Sequence, residues 1–157
     1  MKKIIFILSL LFSINLHSQS IVAPSHMDEE EMVLSYRALK TFIGDSNLVV
    51  MFHPYYPLHP NIEGLTFQFH KNLYSISISH TIENEKIRKW VILHEIGHVI
   101  DLHEERLKQN PPTWEGEPIN PTLHWNERPW EKSAEKWATL MWLLLVEDTP
   151  PIRVYVD

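Results

Sequence analysis

With 157 residues the chain has room for one domain, and a net charge of −6 without a cluster of Lys or Arg argues against nucleic acid or an anionic membrane surface as its partner. The chain has no cysteine, which removes disulfides, a thiol nucleophile and any thiolate metal ligand. The charged start Met1-Lys2-Lys3, the apolar run from Ile4 to Leu16 and the small polar end Ser18-Gln19-Ser20 have the plan of a secretory signal peptide over residues 1–20. That apolar run is too short to span a membrane comfortably. The expectation is a secreted or periplasmic domain over residues 21–157, monomeric and without stable membrane insertion once the signal is removed. Loss of Lys2 and Lys3 deepens its charge from −6 to −8.

Asp28 to Ile43 reads as a helix, with Asp28 as cap, Glu29, Glu30 and Glu31 favouring its N-terminal dipole and Gly44 ending it. Met32, Tyr36, Leu39 and Ile43 recur at helical spacing and predict its buried face. Asn47 to Phe52 suits a buried strand, and three prolines between His53 and Pro60 predict an irregular loop. Leu65 to Phe69 and Leu73 to Ser79 predict a hairpin, the second run alternating large and small residues as a strand with one buried face does. Thr81 to Gln109 is predicted helical, and Asn110 to Pro129 is a proline-rich loop whose Trp114 and Trp125, with Trp130 beside it, pin it down or rim a cleft. Trp130 to Glu147 is a further helix, and Pro150-Pro151 introduces a strand-like tail from Ile152 to Asp157. The predicted fold class is α+β: one small domain with a short antiparallel or mixed sheet packed on two helices.

The chemistry lies in His94-Glu95-Ile96-Gly97-His98, an HExxH motif within the predicted helix from Thr81 to Gln109. Residues four apart on a helix are about 6 Å apart along the axis and about 40° apart around it. Both imidazoles can therefore serve one metal ion, and Glu95 reaches the flank of the same site as a general base. Asp101 and Glu105 fall on the same polar stripe, while Ile92, Ile96, Val99, Ile100 and Leu107 gather on the opposite side. Gly97 lowers helix stability by about 1 kcal/mol relative to Ala, which predicts close packing by another segment at that point. Two imidazoles with a carboxylate favour zinc, and a catalytic zinc takes a third protein ligand. Glu104 stands six residues after His98, where metzincins carry their third ligand. A resemblance to that family would require a Gly at the position held by Asp101, so that the chain can turn back, and fails there. Glu131 is the better one, because Ala134, Ala138 and Trp142 share its helix face and the alanines would let that helix lie against the motif helix.

His94-Glu-Ile-Gly-His98 followed by Glu131-x-x-Ala134-Glu135-x-x-Ala138 resembles the gluzincin clan, thermolysin-like zinc peptidases with a glutamate helix, and most of all its single-domain members, the minigluzincins. The resemblance covers Leu73 to about Val146. It implies a zincin-like fold and an exported zinc endopeptidase with one Zn²⁺ on His94, His98 and Glu131, and Glu95 as general base. It further implies that Glu135, where Asp is usual, steadies His94 by a hydrogen bond. Asp101 is a further candidate to support the ligands. Leu73 to Ser79 resembles the edge strand along which such enzymes pair an extended peptide or protein substrate. The donor that stabilises the oxyanion is expected among His124, Arg128 and Tyr155, His124 first because it lies in the loop leading to Glu131. The alternative is an inactive or latent zinc-binding module acting as a binding or inhibitory protein, its cleft filled by the tail from Arg153 to Asp157. Glu95 argues for the enzyme, since a purely structural site has no use for a base.

Overall fold

The computed structural model describes residues 20–22, 27–44, 47–146, 150 and 151. The signal-peptide segment lies outside the described residues except for Ser20, and the tail with Tyr155 lies outside them entirely. In chain order the elements are β1 (Ser20–Val22), α1 (Glu29–Phe42), β2 (Val49–Tyr56), β3 (Gly64–His70), β4 (Leu73–Ser79), α2 (Glu85–His103), β5 (Leu107–Gln109), β6 (Pro112–Trp114), β7 (Glu117–Pro118), a short 3₁₀ turn (Trp125–Glu127) and α3 (Pro129–Leu145). The architecture is α+β, as predicted: among the described residues there are a four-stranded mixed sheet in the order β1-β2-β4-β3, three helices, and a small meander β5-β6-β7. No helix among the described residues is long and apolar enough to cross a membrane.

Helix α1 starts where its cap predicts. The Asp28 side chain accepts from Glu31 N at 2.8 Å, and Gly44 leaves the helix at φ +69°. Its buried face differs from the predicted one: Glu31, Leu34, Ser35, Ala38 and Leu39 turn inward, while Met32 and Tyr36 remain 37% and 40% exposed. The cause is a buried ion pair. Glu31 Oε1 accepts from Arg88 Nε of α2, and that contact rotates the inward stripe by one position. Burial raises the Glu31 carboxyl above its ordinary value, against the pull of Arg88.

The sheet overturns the prediction about Leu73–Ser79. That strand, β4, pairs in parallel with β2 and antiparallel with β3, so it is central and not an edge. Most of its residues are buried, including Ser75 and Ser79, because both its neighbours and a helix cover it. Strand β3 forms the border instead. Strand β2 also runs further than predicted, through His53 to Tyr56, with an irregular register between those residues that accommodates Pro54.

Helix α2 begins at the Asn84 cap and ends at His103, six residues before the predicted end. Glu105 takes φ 60°, and the chain turns so that Leu107 pairs with Trp114 in the meander. Glu105 therefore leaves the predicted stripe, and Glu104 is exposed. Strand β5 thus replaces the end of the predicted helix, and the predicted loop from Asn110 to Pro129 contains two short strands and a 3₁₀ turn. Helix α2 is the centre of the domain, contacting α3, α1, β3 and β4, and every residue from Trp90 to Leu102 is buried. Its polar stripe is enclosed along with its apolar one.

Candidate metal centre

The α2–α3 seam is built backbone to backbone. A Cβ on Gly97 would lie 2.9 Å from both Cα and O of Ala134 and 3.1 Å from Cβ of Trp137. Only glycine fits there, and Ala134 and Ala138 are fully buried opposite it. This is the close approach the sequence predicts. It places Glu131, in the first turn of α3, beside His94 and His98 of α2.

Glu131 Oε2 lies 3.2 Å from His94 Nε2 and 3.5 Å from His98 Nε2. The three ligand atoms all lie within 4.8 Å of one another. Zinc bonds of 2.0–2.1 Å arranged tetrahedrally put neighbouring ligands about 3.4 Å apart, and the two spans bracket that value. The donor set and its spacing fit a zinc ion.

The charges of the metal-free trio agree with this convergence. Burial would raise the Glu131 carboxyl, yet hydrogen bonds from His94 and His98 hold it far below the usual carboxylate range. Burial would lower the His98 imidazole, but its bond to Glu131 and the charges of Glu95, Glu131 and Asp101 raise it on balance.

Glu95 sits on the opposite flank of the helix, toward β3. Its Oε2 accepts from the Thr66 hydroxyl at 2.7 Å, and the same hydroxyl lies 3.1 Å from the Glu95 backbone oxygen. A Cβ on Gly64 would come within 2.7 Å of Glu95 Cγ and Cδ, so the strand leaves room for the carboxylate only where it has no side chain. A cleft of about 980 Å³ is lined by His94, Glu95, His98, Glu131, Gly64 and Thr66 among others. All four motif-derived residues thus face one space.

The supporting residues are placed less as predicted. Glu135 does not hold His94: it is half-buried at the side of the seam that the alanines fill, and His94 Nδ1 is buried without a hydrogen-bond partner. Asp101 is fully buried, but its Oδ1 accepts from Ser133 Oγ, Trp137 Nε1 and Arg106 Nη1 at 3.1–3.2 Å, not from a ligand imidazole. It fastens α2 to α3 and acts on His98 through its charge alone. His98 Nδ1 and Asp101 Oδ2 are likewise buried without a partner. His124 lines the cleft on its exposed side, with Nδ1 3.0 Å from Asn126 Oδ1, and Arg128 lines the same cleft.

Two residues at the site escape sequence reasoning, and Trp125 takes the cleft-rimming place that the sequence left open beside pinning the loop. Thr66 and Gly64 reach Glu95 across about thirty residues of chain, and neither stands in a motif. Trp125 stacks on His94, with ring centroids 6.3 Å apart and an interplanar angle of 24°. Its only signal is its place in the proline-rich segment. Comparison with known proteins returns no match, whether to a family model, a curated protein or a solved structure.

Proposed function

We propose that this chain is an exported zinc-dependent endopeptidase of the gluzincin type, acting as a monomer on peptide or protein substrates. The observation that carries the reading is the convergence of His94, His98 and Glu131 with the carboxylate of Glu95 in one cleft. Zinc supplies Lewis acidity there, polarising a carbonyl and lowering the pKa of a water to about 7. Everything else falls to the chain's own side chains.

Glu95 takes the proton of the attacking water and returns it to the leaving amine. The Thr66 hydroxyl fixes the Glu95 carboxylate through Oε2 and leaves Oε1 for the water. Trp125, stacked on His94, keeps water from that ring and limits its rotation. His124 and Arg128, on the cleft wall leading to Glu131, are the donors in reach of the developing oxyanion. The substrate lies extended along β3, the border strand, in place of the central Leu73–Ser79.

The test is cleavage of a diverse peptide pool by the mature, zinc-loaded protein beside Glu95→Gln, with bound zinc quantified in both. Turnover in the wild type alone at equal zinc content is the expected result. Zinc in both proteins with cleavage in neither would replace the peptidase by a zinc-binding module that acts through binding. No zinc in either would remove both readings.

A further inference from the structure

Strand β3 borders the sheet, so its backbone groups alternate between β4 and the open side. Glu63 O accepts from Ser79 N at 2.8 Å, which turns the backbone groups of residues of its parity, Leu65 and Phe67, toward β4, up to the irregular register between Gln68 and His70. Gly64, Thr66 and Gln68 turn their N–H and C=O outward along the rim of the cleft. Two of those outward groups are taken. The side chain of Gln109, the last residue of β5, accepts from Gln68 N at 2.9 Å through Oε1 and donates through Nε2 to Thr66 O at 3.1 Å.

Thr66 O and Gln68 N are the groups an added strand would use. A carboxamide offers one carbonyl and an N–H much as a peptide unit does, so Gln109 occupies the border where a docked peptide would. The open stretch ends there. Only the part of the rim beside Glu95, from Gly64 to Thr66, remains for a substrate backbone. Two residues of strand span roughly 7 Å. A longer peptide running toward Gln68 must leave the strand or displace Gln109 together with the meander that carries it.

We propose that Gln109 closes the substrate groove, so that the enzyme accepts only about two residues on the Gln68 side of the scissile bond. The inference rests on the peptidase reading above and narrows its substrates, from peptides and proteins at large to short peptides and chains cut close to one end. Gln109 acts as a specificity-determining residue and takes no part in the chemistry.

The test uses the mature, zinc-loaded chain and two ladders of capped peptides grown outward from the peptide cleaved fastest in the pool. One ladder is lengthened at its N-terminus and the other at its C-terminus. The wild type should lose about tenfold in kcat/KM along one ladder beyond the second residue and nothing along the other, the equivalent of one or two hydrogen bonds. Gln109→Ala should recover the loss, as should Gln109→Asn, which is too short to reach both backbone groups. Equal rates along both ladders in the wild type, or the same loss in both variants, overturn the proposal.

A second readout needs no turnover. Hydrogen exchange at the Gln68 amide should be slow in the wild type and faster in Gln109→Ala. A library of capped, randomised nonapeptides should slow it again in the variant alone. A fast Gln68 amide in the wild type, or equal protection of both proteins by the library, overturns the proposal even where no peptide is cleaved. Absence of cleavage with the expected exchange pattern counts against the peptidase reading and leaves the closed groove standing.

Discussion

The motif helix is held by two seams built on different principles. Toward α3 it approaches backbone to backbone, glycine against alanine, and that approach carries the three prospective zinc ligands. Toward β3 it is held through a side chain, with the Glu95 carboxylate seated against Gly64 and bonded by Thr66. On the proposed reading, the first seam would govern whether an ion is held, and the second whether a base stands beside it. Metal affinity and turnover should therefore respond to different substitutions.

The sharpest separation comes from Glu95→Gln, expected to lower turnover about 10²- to 10⁴-fold while zinc content, measured by atomic emission, stays at one per chain. Zinc lost together with turnover would mean that the two seams are not independent. Glu131→Ala acts on the other seam and should weaken zinc at least about 100-fold, since perturbing even a supporting residue costs about 10- to 100-fold. Competition with a chromophoric chelator measures it. Gly97→Val forces the helices apart and should cost about 1–3 kcal/mol in urea unfolding, the usual range for overpacking, with weaker zinc binding alongside. An unchanged midpoint would show that the seam can open freely. Gly64→Ala pushes first on Glu95, and the expected result is about a tenfold loss in kcat, worth about 1.4 kcal/mol, at unchanged zinc affinity.

The smallest effect is a pH dependence confined to the ligand seam. The raised His98 imidazole contributes stability fully below its ordinary value of 6.5 and loses it as pH rises through the folded value. The lowered Glu131 carboxyl contributes above its ordinary value of 4.5 and loses it as pH falls toward the folded one. Metal-free protein should therefore melt highest between those two values and lower as pH rises above 6.5 and passes the raised His98 value. Zinc requires unprotonated imidazoles, so loaded protein should gain stability over the range in which metal-free protein loses it. Parallel melting curves for both forms would show that the ion does not bind at this trio.

The same contrast explains what could be read from the chain before its fold was known. The α3 seam was legible because its signals are local: two His one turn apart, a glycine between them, and alanines spaced along the glutamate helix. The cap at Asp28 sets its helix start in the same local way, whereas Asn84 starts the motif helix at Glu85, four residues after the predicted Thr81. The β3 seam was not legible, because it depends on strand order. Nothing within Leu73–Ser79 says that β2 will pair on its far side, so a central strand passed for an edge. The inward turn of Glu31 is hidden for a similar reason, since a glutamate goes inside only when Arg88, 57 residues away, meets it. Glu135 is the converse case. Its spacing is right, but the rotation of α3 set by Ala134 and Ala138 leaves it beside the seam.

The outer side of β3 carries Leu65, Phe67 and Phe69 at 51%, 49% and 57% exposure, with the two phenyl rings edge to face at 4.9 Å. An apolar stripe of this kind takes up environment-sensitive dyes and adsorbs to plastic and hydrophobic resins while the protein is fully folded. Dye-based thermal shift would start from a bright native baseline and blunt the melting differences that separate the variants above. Circular dichroism or calorimetry, in low-binding vessels, suits this domain better.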